Sequence, residues 1–398
     1  MKTSKTSGLH KFLSVILIAV LLVFIVGFAS NGWKEDQVLP DNGQVGDNIT
    51  DNTDENKDGT NEEPSDNNNP DSSEDDTKEP PKENGDLNQG EENKTPEETL
   101  PPETLYINAM TGLAVSEVQK FTVPLGFVFD PEAPLYGISS TEIAIEFPIE
   151  DGTTRLLSYT TDNSELWKIG SLVETRAFIS AMSQFFGGIV VSYGNDDVIP
   201  YDIWDTSSYE LDLSKHYGSF YRENAKFVYT RHDKLDLALD GAIGLKGEFY
   251  KAAPYDFVTE GIVLGISEAT SVTLPFSEKN ETSFHYSEKT GTYLMYKSGN
   301  RKVDMLSGKN LAFENVFVLF ADATTYEKSS GTELVIDVMS GGRGYYVTKG
   351  TVTEFTWGLN EIGELNFYSL SGERLTVNQG NNYIAFYKAS EAANVKIG

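Results

Sequence analysis

Ser171-Leu-Val-Glu-Thr-Arg-Ala-Phe-Ile-Ser-Ala-Met-Ser-Gln-Phe-Phe-Gly-Gly-Ile-Val-Val-Ser-Tyr193 sets the fold class of this chain. Ser171 and Glu174 stand three apart, the spacing of a capping box, in which each side chain closes a free backbone N–H at a helix start. Phe178, Ala181, Met182 and Phe185 then recur at helical spacing as one apolar stripe. Gly187-Gly188 supply the backbone freedom that ends helices. Ile189 to Tyr193 reads as a buried strand. Upstream, Phe121 to Phe129 and Arg155 to Thr160 also read as strands. Ile143, Ile145, Phe147 and Ile149 alternate with Glu142, Ala144, Glu146 and Pro148, the pattern of a half-buried strand. Pro148 places that strand at a sheet edge, since proline cannot donate to a ladder. Strand, helix and strand in this order imply a crossover and a partly parallel sheet.

Downstream the pattern is almost all strand. Ser271 to Phe276, Ser283 to Tyr286, Tyr293 to Tyr296, Arg301 to Asp304, Asn315 to Phe320 and Leu334 to Val338 are followed by Gly344 to Thr348, Thr351 to Trp357, Leu365 to Tyr368 and Tyr383 to Tyr387. Lys349-Gly350 and Ser371-Gly372 read as tight hairpin turns. Ser340-Gly-Gly-Arg-Gly344 has no helix after it, so it reads as a turn or bulge rather than a phosphate loop. The expected fold is therefore α+β / α/β. An N-terminal mixed α/β sheet domain over residues 105–255 is followed by a C-terminal mostly antiparallel β domain over 256–398.

Before these lies a different kind of sequence. Phe12 to Ala29 is an apolar run, uncharged and interrupted only by Ser14, behind Lys2, Lys5 and Lys11. As a helix it would span about 27 Å, close to bilayer thickness. The lysines keep the N-terminus cytoplasmic and send the rest outside. Two readings stand for residues 1–30: a retained transmembrane anchor, or a signal peptide cleaved after the small residues Gly27 and Ala29, which would give a secreted form. Residues 31–104 carry 23 Asp and Glu against 5 Lys, and so account for 18 of the chain's 30 net negative charges. Such a tract buries too little apolar surface to order itself, and reads as a disordered acidic linker. Asp54-Glu-Asn-Lys-Asp-Gly59 matches half a calcium loop, but its twelfth position is Ser65 and no helix flanks it, so it reads as solvated linker.

The chain has no cysteine, which excludes disulfides, thiol catalysis and thiolate metal sites. No basic stripe points to nucleic acid. The four histidines, His10, His216, His232 and His285, form no zinc motif. His232, Asp236 and Asp240 share helical spacing, which reads as a solvated helix face. Asp130, Asp162 and Gly194-Asn195-Asp196-Asp197 fall at strand ends, where open sheets bind ligands, and where turns also need such residues. Tyr293, Tyr296, Tyr345, Tyr346, Phe355 and Trp357 read mainly as core, and in part as a groove for glycan or peptide. The residues assign no catalytic group, no metal and no cofactor.

A set of short stretches resembles the YerB-like lipoprotein family, classed as domain of unknown function 3048. They are Asn108-Ala-Met-Thr-Gly-Leu113, Thr141 to Glu146 running on through Glu150 to Arg155, Ile169-Gly170 with Arg176, and Phe220-Tyr-Arg222. The C-terminal part matches best, in Thr290-Gly-Thr-Tyr293, Ser307-Gly-Lys-Asn-Leu311, Asn315-Val316, Gly350-Thr-Val-Thr-Glu-Phe-Thr-Trp357 and Phe367-Tyr368. Three features depart from the family. The lipid-acceptor cysteine is absent, Ser192-Tyr-Gly-Asn195 and Ala225-Lys-Phe-Val228 stand where the family carries histidines, and Val173 replaces an arginine. The resemblance implies a Gram-positive cell-envelope protein of unknown activity. Its kept positions mark Glu146, Glu150, Arg155, Arg176, Tyr221, Arg222 and Trp357 as candidate binding residues, and the strand-end loop adds Asn195. Guanidinium groups suit carboxylate or phosphate. The same arginines also suit structural pairing with Glu146, Glu150 or Glu174.

The expected protein is thus membrane-tethered through residues 12–29 and extracytoplasmic. It is a binding or scaffold module whose partner is a cell-wall polymer or envelope protein. An envelope enzyme working on peptidoglycan or glycan, with carboxylates such as Glu146, Glu150, Asp196 or Asp197 as acid and base, is the alternative. A plain spacer is the other.

Overall fold

The computed structural model describes residues 106–116, 122–162, 166–195, 208–242, 245, 251–328 and 331–398. The apolar run 12–29, the acidic tract 31–104 with its calcium-like sequence, His10 and Asp196-Asp197 lie outside the described residues. Lys94–Gly398 form one compact unit.

The first main strands are β1 Leu125–Phe129, β2 Ile143–Pro148, β3 Thr154–Thr160 and β4 Ile169–Leu172. Two short helices, α1 Ala177–Ser180 and α2 Met182–Phe186, lead into β5 Ile189–Ser192, and α3 spans His232–Gly241. Next come β6 Ser271–Ser277, β7 Asn280–Ser287, β8 Thr292–Lys297 and β9 Asn315–Ala321. The last are β10 Gly342–Thr348, β11 Thr351–Leu359, β12 Leu365–Ser369 and β13 Asn382–Lys388. The molecule is mostly β. Its largest sheet runs β11-β10-β9-β13-β2-β3-β1-β4, extended by shorter strands. β13 pairs in parallel with both β9 and β2, so strands from either side of residue 255 share this sheet. The expected 255/256 boundary therefore does not divide one sheet from another. β5 pairs in parallel with β1, as the strand–helix–strand order implied. β6, β7 and β8 form the centre of a second, six-stranded antiparallel sheet.

The large sheet is covered on both faces. Ile143, Ile145 and Phe147 point to one side, where they meet Phe178, Met182 and Phe186 of the helices and Phe386 of β13. Phe147 and Phe386 stack with ring centres 5.0 Å apart. Ala144 points to the other side, among Val272, Leu274, Phe284 and Met295 of the smaller sheet. The period of two is thus real, but β2 is a fully buried central strand and not the half-buried edge strand its pattern suggested. Pro148 is tolerated because β13 pairs only with Ile143 to Glu146, so the missing N–H falls beyond the parallel ladder.

The helix also starts later than its capping box indicated. Ile169 to Leu172 are all buried and join the ladder with the neighbouring strand 228–230, which takes Ser171 out of reach of a cap. Arg176 becomes the N-cap residue without a side-chain cap, and Glu174 is left to pair with arginine. Phe178, Met182 and Phe185 do form the buried stripe, and Gly187 ends the second helix with φ of 77°.

Candidate functional site

The charged positions singled out in the N-terminal half fall into two groups. Glu146 stands alone on the Ala144 face of β2 and is fully buried. Lys297 of β8 donates to it at 2.5 Å. Thr154 donates to the same carboxylate oxygen at 2.6 Å, Thr282 of β7 donates to the other at 2.8 Å, and the Tyr383 hydroxyl donates to that oxygen as well. Lys297 completes its three donors on Thr154 and Thr282, both at 2.9 Å. Burial alone would raise the Glu146 carboxyl, but the Lys297 charge and the donated hydrogen bonds hold it below its ordinary value. Burial and the neighbouring carboxylate push the Tyr383 phenol well up, so it stays a donor. Every lone-pair direction of Glu146 is occupied by the protein itself, and no solvent reaches it.

Glu150, Arg155, Glu174 and Arg176 form the second group. The turn Glu150–Gly152 leads into β3, which carries Arg155, while Glu174 and Arg176 precede α1. Arg155 donates to Glu174, and Arg176 to Glu150. Arg176 also lies 3.6 Å from Glu174, which makes the four a continuous alternating network. Burial raises the Glu150 carboxyl, and the Arg176 hydrogen bond and charge more than reverse this, holding it below the usual carboxylate range. Beside Glu150 opens a pocket of about 210 Å³, lined by Pro148, Gly152, Phe276, Thr325, Leu334 and Lys388. Lys388 is itself paired with Glu391. Glu150 and Lys388 at this pocket are thus matched by neighbours, and the arginines pair as their structural reading anticipated, with Glu174 and Glu150 rather than Glu146 as partners.

The remaining candidates are spread out. Asn195 is half-buried and donates to Glu210 at 2.7 Å, in a loop fixed by Gly194 N–H donating to Asp212 at 2.7 Å. Arg222 is exposed, lies 4.9 Å from the Tyr193 ring centre and donates to the Ala225 carbonyl. Tyr221 packs 5.7 Å from Tyr229. Trp357 is buried edge-on against Phe386 at 5.5 Å, and Tyr293, Tyr346 and Phe355 are core as well, so these four line no surface groove. Asp236 and Asp240 are exposed on α3, and no group of three metal-ligating side chains occurs among the described residues. Lys297, Thr282 and Tyr383 were missed as partners of Glu146. Only the unusual placement of a lysine in the buried half of an alternating strand hinted at one of them.

Residues 272–384 match the model of the C-terminal domain of a protein family of unknown function, DUF3048. No curated protein matches the chain. Among solved structures, the YerB protein from Bacillus subtilis is similar, with a TM-score of 0.62 at 20% identity, over 74% of this chain and 99% of that one. At that identity the likeness speaks for a shared fold, and it extends well beyond the matched C-terminal domain. Residues 272–384 thus carry the C-terminal domain of the DUF3048 family, and the chain shares its fold with YerB.

Proposed function

We propose that the chain is a membrane-tethered, extracytoplasmic protein of the cell envelope that works by binding rather than by catalysis. The layout of residues 1–104 supports the location: lysines, an apolar run of bilayer length and then an acidic tract that separates the fold from the membrane. The observation that carries binding over catalysis is the pairing of the two carboxylates best placed to act as acid and base. Glu146 is sealed around Lys297, and Glu150 is tied to Arg176. Both carboxyls are held below their ordinary values, so neither keeps a proton at neutral pH for a leaving group.

The test has two arms in intact, wall-stripped cells and with purified full-length chain. Crosslinking followed by mass spectrometry should recover a defined envelope partner, and external protease should remove the fold while leaving an N-terminal membrane stub. The purified chain should release no soluble fragment from peptidoglycan. Release that is abolished by Glu150→Gln would establish the hydrolase instead. A fold shielded from protease would overturn the orientation, while a released form starting near Ser30 would replace the anchor with a cleaved signal.

A further inference from the structure

Away from the Glu150 network, a second pocket of about 530 Å³ opens among Ser139, Asp162, Trp167, Asp304, Ser307 and Lys309. Its size falls within the roughly 300–1,000 Å³ of small-ligand sites. Three separate chain segments build it, and they are held together. Asp304 is buried, and its carboxylate accepts from the backbone N–H groups of Ser139 at 2.8 Å, Gly137 at 3.3 Å and Leu306 at 2.8 Å. It therefore clamps the 137–140 loop to the 304–309 turn, and Met305 N–H donating to the Leu135 carbonyl at 2.8 Å closes the same seam. The third wall is Leu166-Trp167, fixed by His232 N–H donating to the Leu166 carbonyl at 2.9 Å.

Trp167 is the informative side chain. Its residue is 63% exposed, yet the indole is braced edge-on against the His232 ring with centres 4.9 Å apart. A large aromatic held open to water at a pocket rim costs solvation and gains no core packing. It offers a rigid apolar face at little entropy cost to whatever binds. Around it stand hydroxyls, a carboxylate and an ammonium: Ser139, Ser307, Asp162 and Lys309. Two carboxylates against one lysine disfavour a polyanion. None of the lining residues belongs to a strand, so the pocket offers no ladder to an extended peptide.

We infer that this pocket binds a pyranose ring of a surface glycan. The weakly positive C–H face of the sugar lies on the negative face of the Trp167 ring. Its hydroxyls pair with Ser139, Ser307, Asp162 and Lys309, while Asp304 acts as a positioning residue beneath. This rests on the binding reading above and names its ligand class. Ser307 and Lys309 belong to the Ser307-Gly-Lys-Asn-Leu311 stretch, which the Glu150 network leaves without a role.

The test titrates the full chain in detergent with chitotetraose, with the disaccharide released from peptidoglycan by muramidase, and with maltotetraose, read by calorimetry and saturation-transfer NMR. At least one sugar should bind saturably. Trp167→Ala should weaken that binding about tenfold or more, as for a central aromatic anchor. Trp167→Phe should recover part of it, and Lys309→Ala should weaken it with unchanged melting. Leu370→Ala, which removes an exposed apolar side chain outside the pocket, should leave binding as it was. Absence of saturable binding to all three sugars overturns the inference, as does a Trp167→Ala chain that binds like the parent. If partners are still captured in cells by such a chain, the binding reading survives and only the pocket assignment falls.

Discussion

Lys297 reaches Glu146 across the gap between the two sheets, and neither side chain touches solvent. An ion pair so enclosed gains little over apolar packing, because desolvation of both groups offsets their attraction. Breaking it is a different matter. Lys297→Met leaves a buried carboxylate whose remaining donors are three hydroxyls, and is expected to cost about 3–5 kcal/mol in denaturant unfolding. Glu146→Gln/Lys297→Met should recover a large part of that loss, since no charge is then left unpaired. The pH dependence follows from the lowered Glu146 carboxyl. The native state binds fewer protons than the unfolded chain, so this stability is fully present above the ordinary value of 4.5. It is lost as pH falls through the folded value. The gap between wild type and Glu146→Gln should therefore narrow from about pH 7 to about pH 3. A constant gap would mean that Glu146 contributes nothing through its charge. The sequence showed Glu146 on an alternating strand, but Thr282, Lys297 and Tyr383 come from 136 to 237 residues away in the chain, where only the fold can bring them. Glu150 and Glu174 were legible as partners of the arginines, but not which arginine each takes: Arg176 reaches back to Glu150 and Arg155 forward to Glu174.

Among the elements, strands were readable and their neighbours were not. The β-branched and aromatic runs from Ser271 to Tyr387 nearly all became strands, because each carries its own period and its own turn residues. The strand Ala323–Lys328 escaped notice: it is polar and largely exposed, and has no apolar face to betray it. The position of β2 in the sheet was misread for a related reason. One proline in a strand signals an edge only if its N–H would have been used, and that depends on a partner strand some 240 residues later. Of the two hairpin turns read from the sequence, Lys349-Gly350 was legible down to its geometry, whereas at Ser371-Gly372 only the glycine has positive φ. Ser298-Gly299 and Lys349-Gly350 both have positive φ at both positions, the mirror-image turn that suits twisted strands. These two turns differ in one respect that unfolding measurements can read. Nothing stands within 4 Å of a side chain added at Gly299, so Gly299→Ala should cost only the left-handed backbone penalty of about 1–2 kcal/mol. At Gly350 the added carbon would lie 3.1 Å from the Tyr286 ring, which is packed 5.0 Å from Tyr293. Gly350→Ala should therefore cost about 1 kcal/mol more than Gly299→Ala. Equal costs would show that Tyr286 yields freely.

At the scale of the whole molecule, the two halves expected from the strand and helix pattern are joined through their cores. β2, from the first half, lies between β13 of the second half and β3 of the first. Its inward carboxylate is neutralised by β8, and its outward face stacks Phe147 on Phe386. A chain cut at 255 would strip β13 of one parallel neighbour, leaving its backbone groups from Asn382 to Ala385 unpaired in an otherwise buried strand. It would also strand Lys297 without its counter-ion. We therefore expect residues 105–255 and 256–398, expressed separately, to lack a cooperative unfolding transition. Coexpressed, they should assemble into one species that melts as a unit. Circular dichroism and amide exchange on the separate and mixed fragments decide this. Protection of the β6–β8 hairpins alone in the C-terminal fragment would fit, since those strands pair only within their own half. A sharp, independent transition in either fragment would not, because it would require the parallel β2–β13 contact and the buried Glu146–Lys297 pair to be dispensable together.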